Sequence, residues 1–301
     1  MRTTLIALIA IMSTTTKAET IGDFDFNLNK NTKTAELTAY KGTDTELTIP
    51  PSISYEGETY TVTSLGEYCF SYSLTLTSIT IPETVTSLGE YCFSSCYSLT
   101  ALNIPASVTK IGFRCIISCP ALTAISVDKN NQVYDSREDC NALIETATNT
   151  MIRGCQSTFI PSTVEKIDDY CFSECGTLTD ITIPSSVKSI GESSFMQCVA
   201  LTDITIPSSV TSIGNSCFSG CIALEKITVD PNNQVYDSRD NSNAIIETAT
   251  NTLIAGCKSS TIPTTVTRLG ENSFADCSTL TDITIPESVT SLGLGSFSKC
   301  I

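Results

Sequence analysis

A unit of 23 residues repeats along this chain, and such a chain can bury its apolar side chains only by stacking copies of one small layer. Leu76, Ile79, Ile81, Pro82, Val85, Gly89 and Cys96 return in the next unit as Leu99, Leu102, Ile104, Pro105, Val108, Gly112 and Cys119. The frame comes back at Leu178, Leu201, Leu224 and Leu280. Written out, the unit reads L-x-x-I-x-I-P-x-x-V-x-x-I-G-x-x-C/S-F-x-x-C. A longer period lies on top of it, because Leu76 and Leu178, Val127 and Val229, Tyr134 and Tyr236, and Pro161 and Pro263 are each 102 residues apart. The chain is a duplicated block assembled from smaller units.

Each unit opens with alternation. Ile79 and Ile81 share one face while Ser78 and Thr80 share the other, the period-two pattern of a short strand. Pro82 has no N–H to give to a ladder and ends the strand. Val85 and Leu88 mark a second extended or turning segment, with a bend at Gly89. The spacing of Cys92, Phe93 and Cys96 then suits one or two helical turns. The expected fold is therefore an α/β repeat solenoid, with a parallel sheet on one face and short extended or helical turns on the other. Ten strands are expected, centred on Ile49, Ile81, Ile104, Val127, Ile160, Ile183, Ile206, Val229, Ile262 and Ile285. At ~4.8 Å per strand the array would be roughly 43 Å long.

Two repeats are longer than the others. Residues 142–152 and 244–254 carry two apolar patches around a polar turn with Asn149 or Asn251 in it, a β-hairpin pattern. Residues 19–46 precede the first full repeat and are expected to form a cap, since a stack would otherwise expose its core and an open sheet edge. Residues 47–301 form the repeat array, which stops at Cys300 and Ile301 with no polar cap behind the last unit. At the front, Arg2, an apolar run over residues 5–12 and small residues up to Ala18 form the pattern of an export signal, with the cut expected after Ala18. No stretch is long and apolar enough for a transmembrane helix.

The unit closely resembles the BspA-like leucine-rich repeat family, the treponemal-type repeat of bacterial and protozoan surface proteins. The likeness is carried by the I-x-I-P strand, the I/L-G bend and the F-x-x-C end, as in Ile206-Pro207, Gly214 and Phe218 with Cys221. Tyr55 to Gly66 looks like the family's first repeat, and the Asp128 and Asp230 segments look like its longer variant. The resemblance spans nearly everything from about residue 24 onward. It implies a leucine-rich-repeat solenoid that is secreted or held at a cell surface, acting in adhesion to host matrix proteins or other cells. No fixed functional site transfers with it, and this chain departs from the pattern by placing Cys where the family often has Ala.

Composition narrows the chemistry. With His 0, the chain holds no Ser/His/Asp or Cys/His pair and no His-containing metal site. Lys+Arg 17 against Asp+Glu 32 gives a net charge of −15, more negative still once Arg2 and Lys17 are cut away. That balance opposes nucleic acid and anionic membrane surfaces as partners. No cofactor or metal is expected. The Asp/Asn turns at Asp128 and Asp230 fail as calcium loops, since Val133 and Val235 stand where a Gly is required, and Asx-turn bonding is the expected role.

The 15 Cys fall mostly into columns. One precedes the repeat Phe (Cys69, Cys92, Cys115, Cys171, Cys217) and one ends the repeat (Cys96, Cys119, Cys175, Cys198, Cys221, Cys277, Cys300). Repeat spacing of ~4.8 Å lies inside the Cα window for disulfides, but Ser194, Ser273 and Ser296 in the same column favour small buried thiols. Cys140 stands outside the columns, opposite Ser242 in the second block, and is the candidate exposed free thiol.

The outward strand positions form the candidate binding face: Thr80, Asn103, Asp180, Thr182, Asp203, Thr205, Lys226, Thr228, Asp282 and Thr284. A face of hydroxyls with scattered charge suits a polar protein partner, and it also suits plain solvation. Asp180 and Asp203 on adjacent repeats would lie about 5 Å apart, the separation used by a retaining glycosidase. Against that enzyme reading stand Lys226 on the next repeat and the lack of a pocket on an open sheet. No catalytic residue is assigned. Three functions remain: adhesion through the face, polysaccharide chemistry at the Asp pair, and an inert structural spacer.

Overall fold

The computed structural model describes residues 17–300; the apolar run of the expected export signal lies outside the described residues. Two ladders organise the repeats. The first is made of the I-x-I-P strands: Glu46–Thr48 pairs in parallel with Ser78–Thr80, Ala101–Ile104 with Ala124–Val127, and Asp203–Ile206 with Lys226–Val229. Their registers join positions one repeat apart, such as Asn103 with Ser126 and Thr205 with Thr228. Alternation sends Leu102, Ile104, Ile204 and Ile206 inward, where all four are buried.

The segments around Ile160, Ile183, Ile262 and Ile285 are not strands, although four were expected there. The long repeats are the reason. Beside residues 157–160 lies Asn141, whose carbonyl accepts the Thr158 hydroxyl at 2.6 Å, and beside Thr261 lies Ser242, whose carbonyl accepts the Thr261 N–H at 2.9 Å. A loop occupies the place of a neighbouring strand, so the ladder breaks there. The following repeat, built on Ile183 or Ile285, then has no paired strand behind it. Ile160, Ile183 and Ile262 are buried even so, because side-chain packing does not require ladder pairing.

The second ladder is the more continuous one. Ser87–Leu88 and Lys110–Ile111 follow Glu58–Leu65 in parallel. Lys166–Ile167, Ser189–Ile190 and Ser212–Ile213 do the same after the first hairpin, and Arg268–Leu269 and Ser291–Leu292 after the second. Both hairpins form as expected. Leu143–Glu145 turns into Thr150–Arg153 with Asn149 at φ 52°, and Ala244–Glu247 turns into Thr252–Gly256 with Asn251 at φ 53°. At the N-terminal end Lys17–Ile21, Phe24–Asn29 and Thr34–Tyr40 form an antiparallel meander, and its last strand joins Glu58–Leu65 in parallel. Ala18, the expected cut position, lies within the first of these strands.

The helical expectation is corrected. The described residues contain no α-helix, and the only helical pieces are two three-residue 3-10 turns, Arg137–Asp139 and Arg239–Asn241. The C/S-F-x-x-C segment is a series of tight turns instead. Tyr91 and Ser95 have φ of 52° and 57°, and the same left-handed pair recurs at Tyr68 and Tyr72, Tyr170 and Glu174, and Ser193 and Gln197. The hydrogen bonds show why. The N–H groups of Phe93 and Ser95 donate to Cys115 and Ile117 of the next repeat at 2.7 and 2.9 Å, while Ser94 N–H donates back to Tyr91 at 3.0 Å. A helix would direct every N–H along its own axis. Behind these turns the repeat Phe rings stack: Phe172 on Phe195 at 5.2 Å, Phe195 on Phe218 at 5.4 Å, and Phe274 on Phe297 at 5.2 Å.

Gly214 shows how close the layers come, since a Cβ there would lie within 2.6 Å of Glu192 Cα and of Gly191 C. Replacing it, Gly214→Ala, is expected to destabilise the fold by about 1–3 kcal/mol through overpacking against backbone that has nowhere to move. Chemical denaturation followed by circular dichroism measures this, and an unchanged midpoint would contradict the close stacking.

Candidate binding face

Six of the ten residues singled out above lie on strands of the first ladder. Thr80 and Asn103 are exposed on paired strands, and Asn103 Oδ1 accepts the Ser126 hydroxyl from the neighbouring repeat at 2.9 Å. Asp203, Thr205, Lys226 and Thr228 sit on one strand pair, with Asp203 in register with Lys226 and Thr205 with Thr228; Thr228 alone of the ten is half-buried. Asp180, Thr182, Asp282 and Thr284 are exposed on the segments that lack strand pairing. Asp282 and Thr284 share a shallow groove with Thr261 and Thr264 of the preceding repeat.

Geometry weakens the carboxylate pair. Asp180 accepts the hydroxyl of Thr179 at 3.3 Å and Asp203 that of Thr202 at 3.1 Å, so each is engaged by its own neighbour. The side chain in register with Asp203 is Lys226, a cation. The cavity beside Arg153 and the grooves along the second ladder are lined by other residues.

A run of threonines beside the face escaped the sequence reading. The hydroxyls of Thr77, Thr100 and Thr123 donate to the carbonyls of Thr45, Thr77 and Thr100 at 2.8, 3.1 and 3.2 Å. Each hydroxyl ties its repeat to the one before it. The periodic Thr after most repeat Leu residues was the available signal. The Asp/Asn turns act as the sequence implies. Asp128 Oδ1 accepts the Asn130 N–H at 2.8 Å, and Asn131 Oδ1 accepts the N–H groups of Val133 and Tyr134, both at 2.9 Å. Asn131 Nδ2 also donates to the Pro105 and Val108 carbonyls of the previous repeat at 2.9 Å, and Asn233 repeats the pattern. Among the described residues no group of Cys, Asp and Glu is arranged to hold a metal ion. None of their helices is long and apolar enough to cross a membrane.

Cys140 is not exposed. Its relative exposure is 0%, because the 3-10 turn folds it under Ser136, 4.0 Å away, into a core with Ala142 and Ile144. Ser242, its counterpart, is buried equally, so this slot too selects small size. The column cysteines are buried free thiols, with Cys300 half-buried. Burial pushes the thiol of Cys217 up to about 12, and it pushes those of Cys140 and Cys300 upward as well.

Comparison with known proteins places the chain in a leucine-rich repeat family. The model of the BspA type leucine-rich repeat region matches residues 52–149, 144–252 and 251–301. A leucine-rich cell surface protein from Faecalibacterium prausnitzii is 32% identical, with a TM-score of 0.58 over 93% of this chain and 73% of its own. A leucine-rich repeat protein from Eubacterium ventriosum is 21% identical, with a TM-score of 0.53 over 93% of this chain and 94% of its own, a likeness of fold alone. No sequence among the curated proteins matches.

The thiol arrangement predicts an order of reactivity. A thiolate-selective reagent such as DTNB at neutral pH is expected to modify Cys300 first in the folded protein and to leave Cys140 unmodified until denaturant is added. Raising the pH through 9 should speed the Cys300 reaction, because a raised thiol pKa leaves little thiolate at neutrality. Peptide mapping of the modified sites checks both, and early labelling of Cys140 would restore it as an exposed thiol.

Proposed function

Since the chain belongs to the BspA-type leucine-rich repeat family, we propose that it is an exported, surface-acting solenoid that binds other proteins through the outward face of its first ladder. The observation that carries this reading is the parallel register of that face. Thr48 with Thr80, Asn103 with Ser126 and Thr205 with Thr228 present hydroxyl and amide groups one strand spacing apart over buried Ile and Leu. Such a surface is rigid before a partner arrives, so binding orders few side chains. Its long polar side chains are few, which leaves hydroxyls as low-entropy hydrogen-bonding groups.

The face differs along its length. Asn103 and Ser126 in the first block are neutral, whereas Asp180, Asp203 and Asp282 add charge in the second, with Lys226 opposing it locally. With a chain charge of −15, the partner is a protein that tolerates or seeks acid, such as a basic host matrix or cell-surface protein. The family suggests protein–protein interaction rather than catalysis, and the two engaged carboxylates support the same reading.

Reversing the charges together, Asp180→Lys with Asp203→Lys and Asp282→Lys, is expected to weaken binding to a basic matrix protein at least tenfold and to flatten its salt dependence. Surface plasmon resonance against immobilised matrix proteins reads this. Equal binding by the native and reversed faces would remove the face from the function, and turnover of a glycan lost in Asp203→Asn would favour the enzyme.

A further inference from the structure

The two blocks differ at the junction beside their hairpins. In the first block a cavity of about 140 Å³ lies between residues 111–117 and Asp168 to Tyr170, walled by Ile111, Ile116, Leu143 and Ile152. Two arginines line it. Arg153 is only 4% exposed, and its Nη1 and Nη2 donate to the carbonyls of Tyr170 at 2.7 Å and Ser173 at 3.1 Å. Its Nε–H is buried with no partner. Arg114 is clamped between aromatic rings, 3.6 Å from the Tyr170 centroid and 4.7 Å from that of Phe113, and its buried Nε also has no partner. Among the described residues neither guanidinium pairs with a carboxylate. Of the two acids at the cavity wall, Asp168 pairs with Lys166 at 2.8 Å and Asp169 accepts the Glu192 N–H at 2.8 Å.

The second block keeps an apolar wall, with Ile213, Ile245 and Ile254 at the places of Ile111, Leu143 and Ile152, but it replaces the polar features. Ala255 stands for Arg153, Ser216 for Arg114 and Asn272 for Tyr170, and Asn272 Nδ2 donates to Ser216 Oγ at 2.9 Å. Phe218 stands for Ile116 and stacks on Phe195 at 5.4 Å. Structural need alone therefore does not demand a buried Arg153 and a half-buried Arg114 at this junction. A buried guanidinium without an anion is costly, and an N–H donor without an acceptor adds to the cost.

We propose that this cavity is a binding site for a small organic monocarboxylate with an aromatic body. The carboxylate would accept from the guanidinium Nη–H groups of Arg153 and Arg114 that the protein leaves unengaged, and the ring would fill the Ile- and Leu-lined volume. A cavity of about 150 Å³ is known to suit one benzene ring, which sets the size of the body. Asp168 and Asp169 on the wall disfavour an anion of two charges, so inorganic phosphate is a poor occupant. Planar two-point recognition is what a guanidinium offers a carboxylate.

Benzoate is the probe, titrated into the full chain by calorimetry, with benzyl alcohol and inorganic phosphate as controls. Saturable benzoate binding with a Kd below about 1 mM is expected, with both controls at least tenfold weaker. Ile116→Phe, which installs the ring found in the second block, and Arg153→Ala, which installs its alanine, should each weaken benzoate at least tenfold. Melting temperature without ligand reports folding, and should Arg153→Ala fail to fold, Ile116→Phe decides. Absence of saturable benzoate binding, undiminished binding in Ile116→Phe, or phosphate binding as tightly as benzoate would each overturn the assignment.

Discussion

Where one short repeat follows another, its turn segment hands backbone N–H groups to carbonyls of the repeat that follows, and the remaining architecture depends on that exchange. Phe70 to Cys92, Phe93 to Cys115, Phe172 to Ser194 and Phe195 to Cys217 are the same bond, made at 2.7 to 2.9 Å. To point alternate N–H groups along the stack, the backbone must leave the right-handed region twice per turn, as at Tyr91 and Ser95. For residues other than Gly that conformation costs about 1–2 kcal/mol each. A hydrogen bond contributes about 1 kcal/mol in return, so the bonds alone do not offset the strain. Burial of the Phe between the two left-handed residues supplies the rest, about 2–3 kcal/mol for a large apolar side chain. Strain, hydrogen bond and ring stack are thus coupled in each layer, and each is meaningless without the neighbour.

The same coupling explains where the regularity stops. Ile116 takes the place of a Phe, and the ring stack running from Phe70 to Phe93 ends there, to resume at Phe172. The long repeat begins just after this break and diverts the chain through its hairpin, which replaces a turn as the bonding partner: Gly154 N–H, on the hairpin, donates to Cys171 at 3.0 Å. Phe172 packs over Gly154, where any Cβ would strike its ring, and Phe274 does the same over Gly256. Each long repeat is therefore a joint between regular stacks. The first joint holds two arginines and a cavity, and the second holds an aromatic ring and an amide–hydroxyl bond. Duplication gave two copies of one joint with different interiors.

Polar chemistry is divided by face in a way that follows from the ladders. Thr hydroxyls beside the first ladder are spent on carbonyls of the preceding repeat, which leaves the outward positions to meet solvent or a partner. The cysteines are excluded from that role by depth. Most occupy slots where Ser and Cys alternate between repeats, and burial pushes the thiol of Cys217 up. Fifteen cysteines here describe packing.

The repeat period, the inward Ile and Leu positions, both hairpins and the Asx turns at Asp128 and Asp230 were legible in the sequence, because each depends on contacts within one unit or on a pattern copied between units. The tertiary structure decided the rest. Helical turns were expected at Cys92, Phe93 and Cys96 since i, i+1 and i+4 spacing is the same in a helix and in a chain of left-handed turns, and only the direction of the N–H groups separates them. Cys140 looked exposed because it had no column, yet a 3-10 turn, a local shape with no strong signature, folded it into the core. Four strands were lost where the loop of a long repeat stands beside the I-x-I segment or one repeat before it, which periodicity along the chain does not register. The buried arginine was invisible for the same reason: a lone Arg153 at a strand end reads as solvated until the neighbouring layer closes over it. The sequence by itself determined what each layer buries, because side-chain alternation is local. What lies between layers was decided by tertiary stacking alone, since it depends on which two surfaces meet.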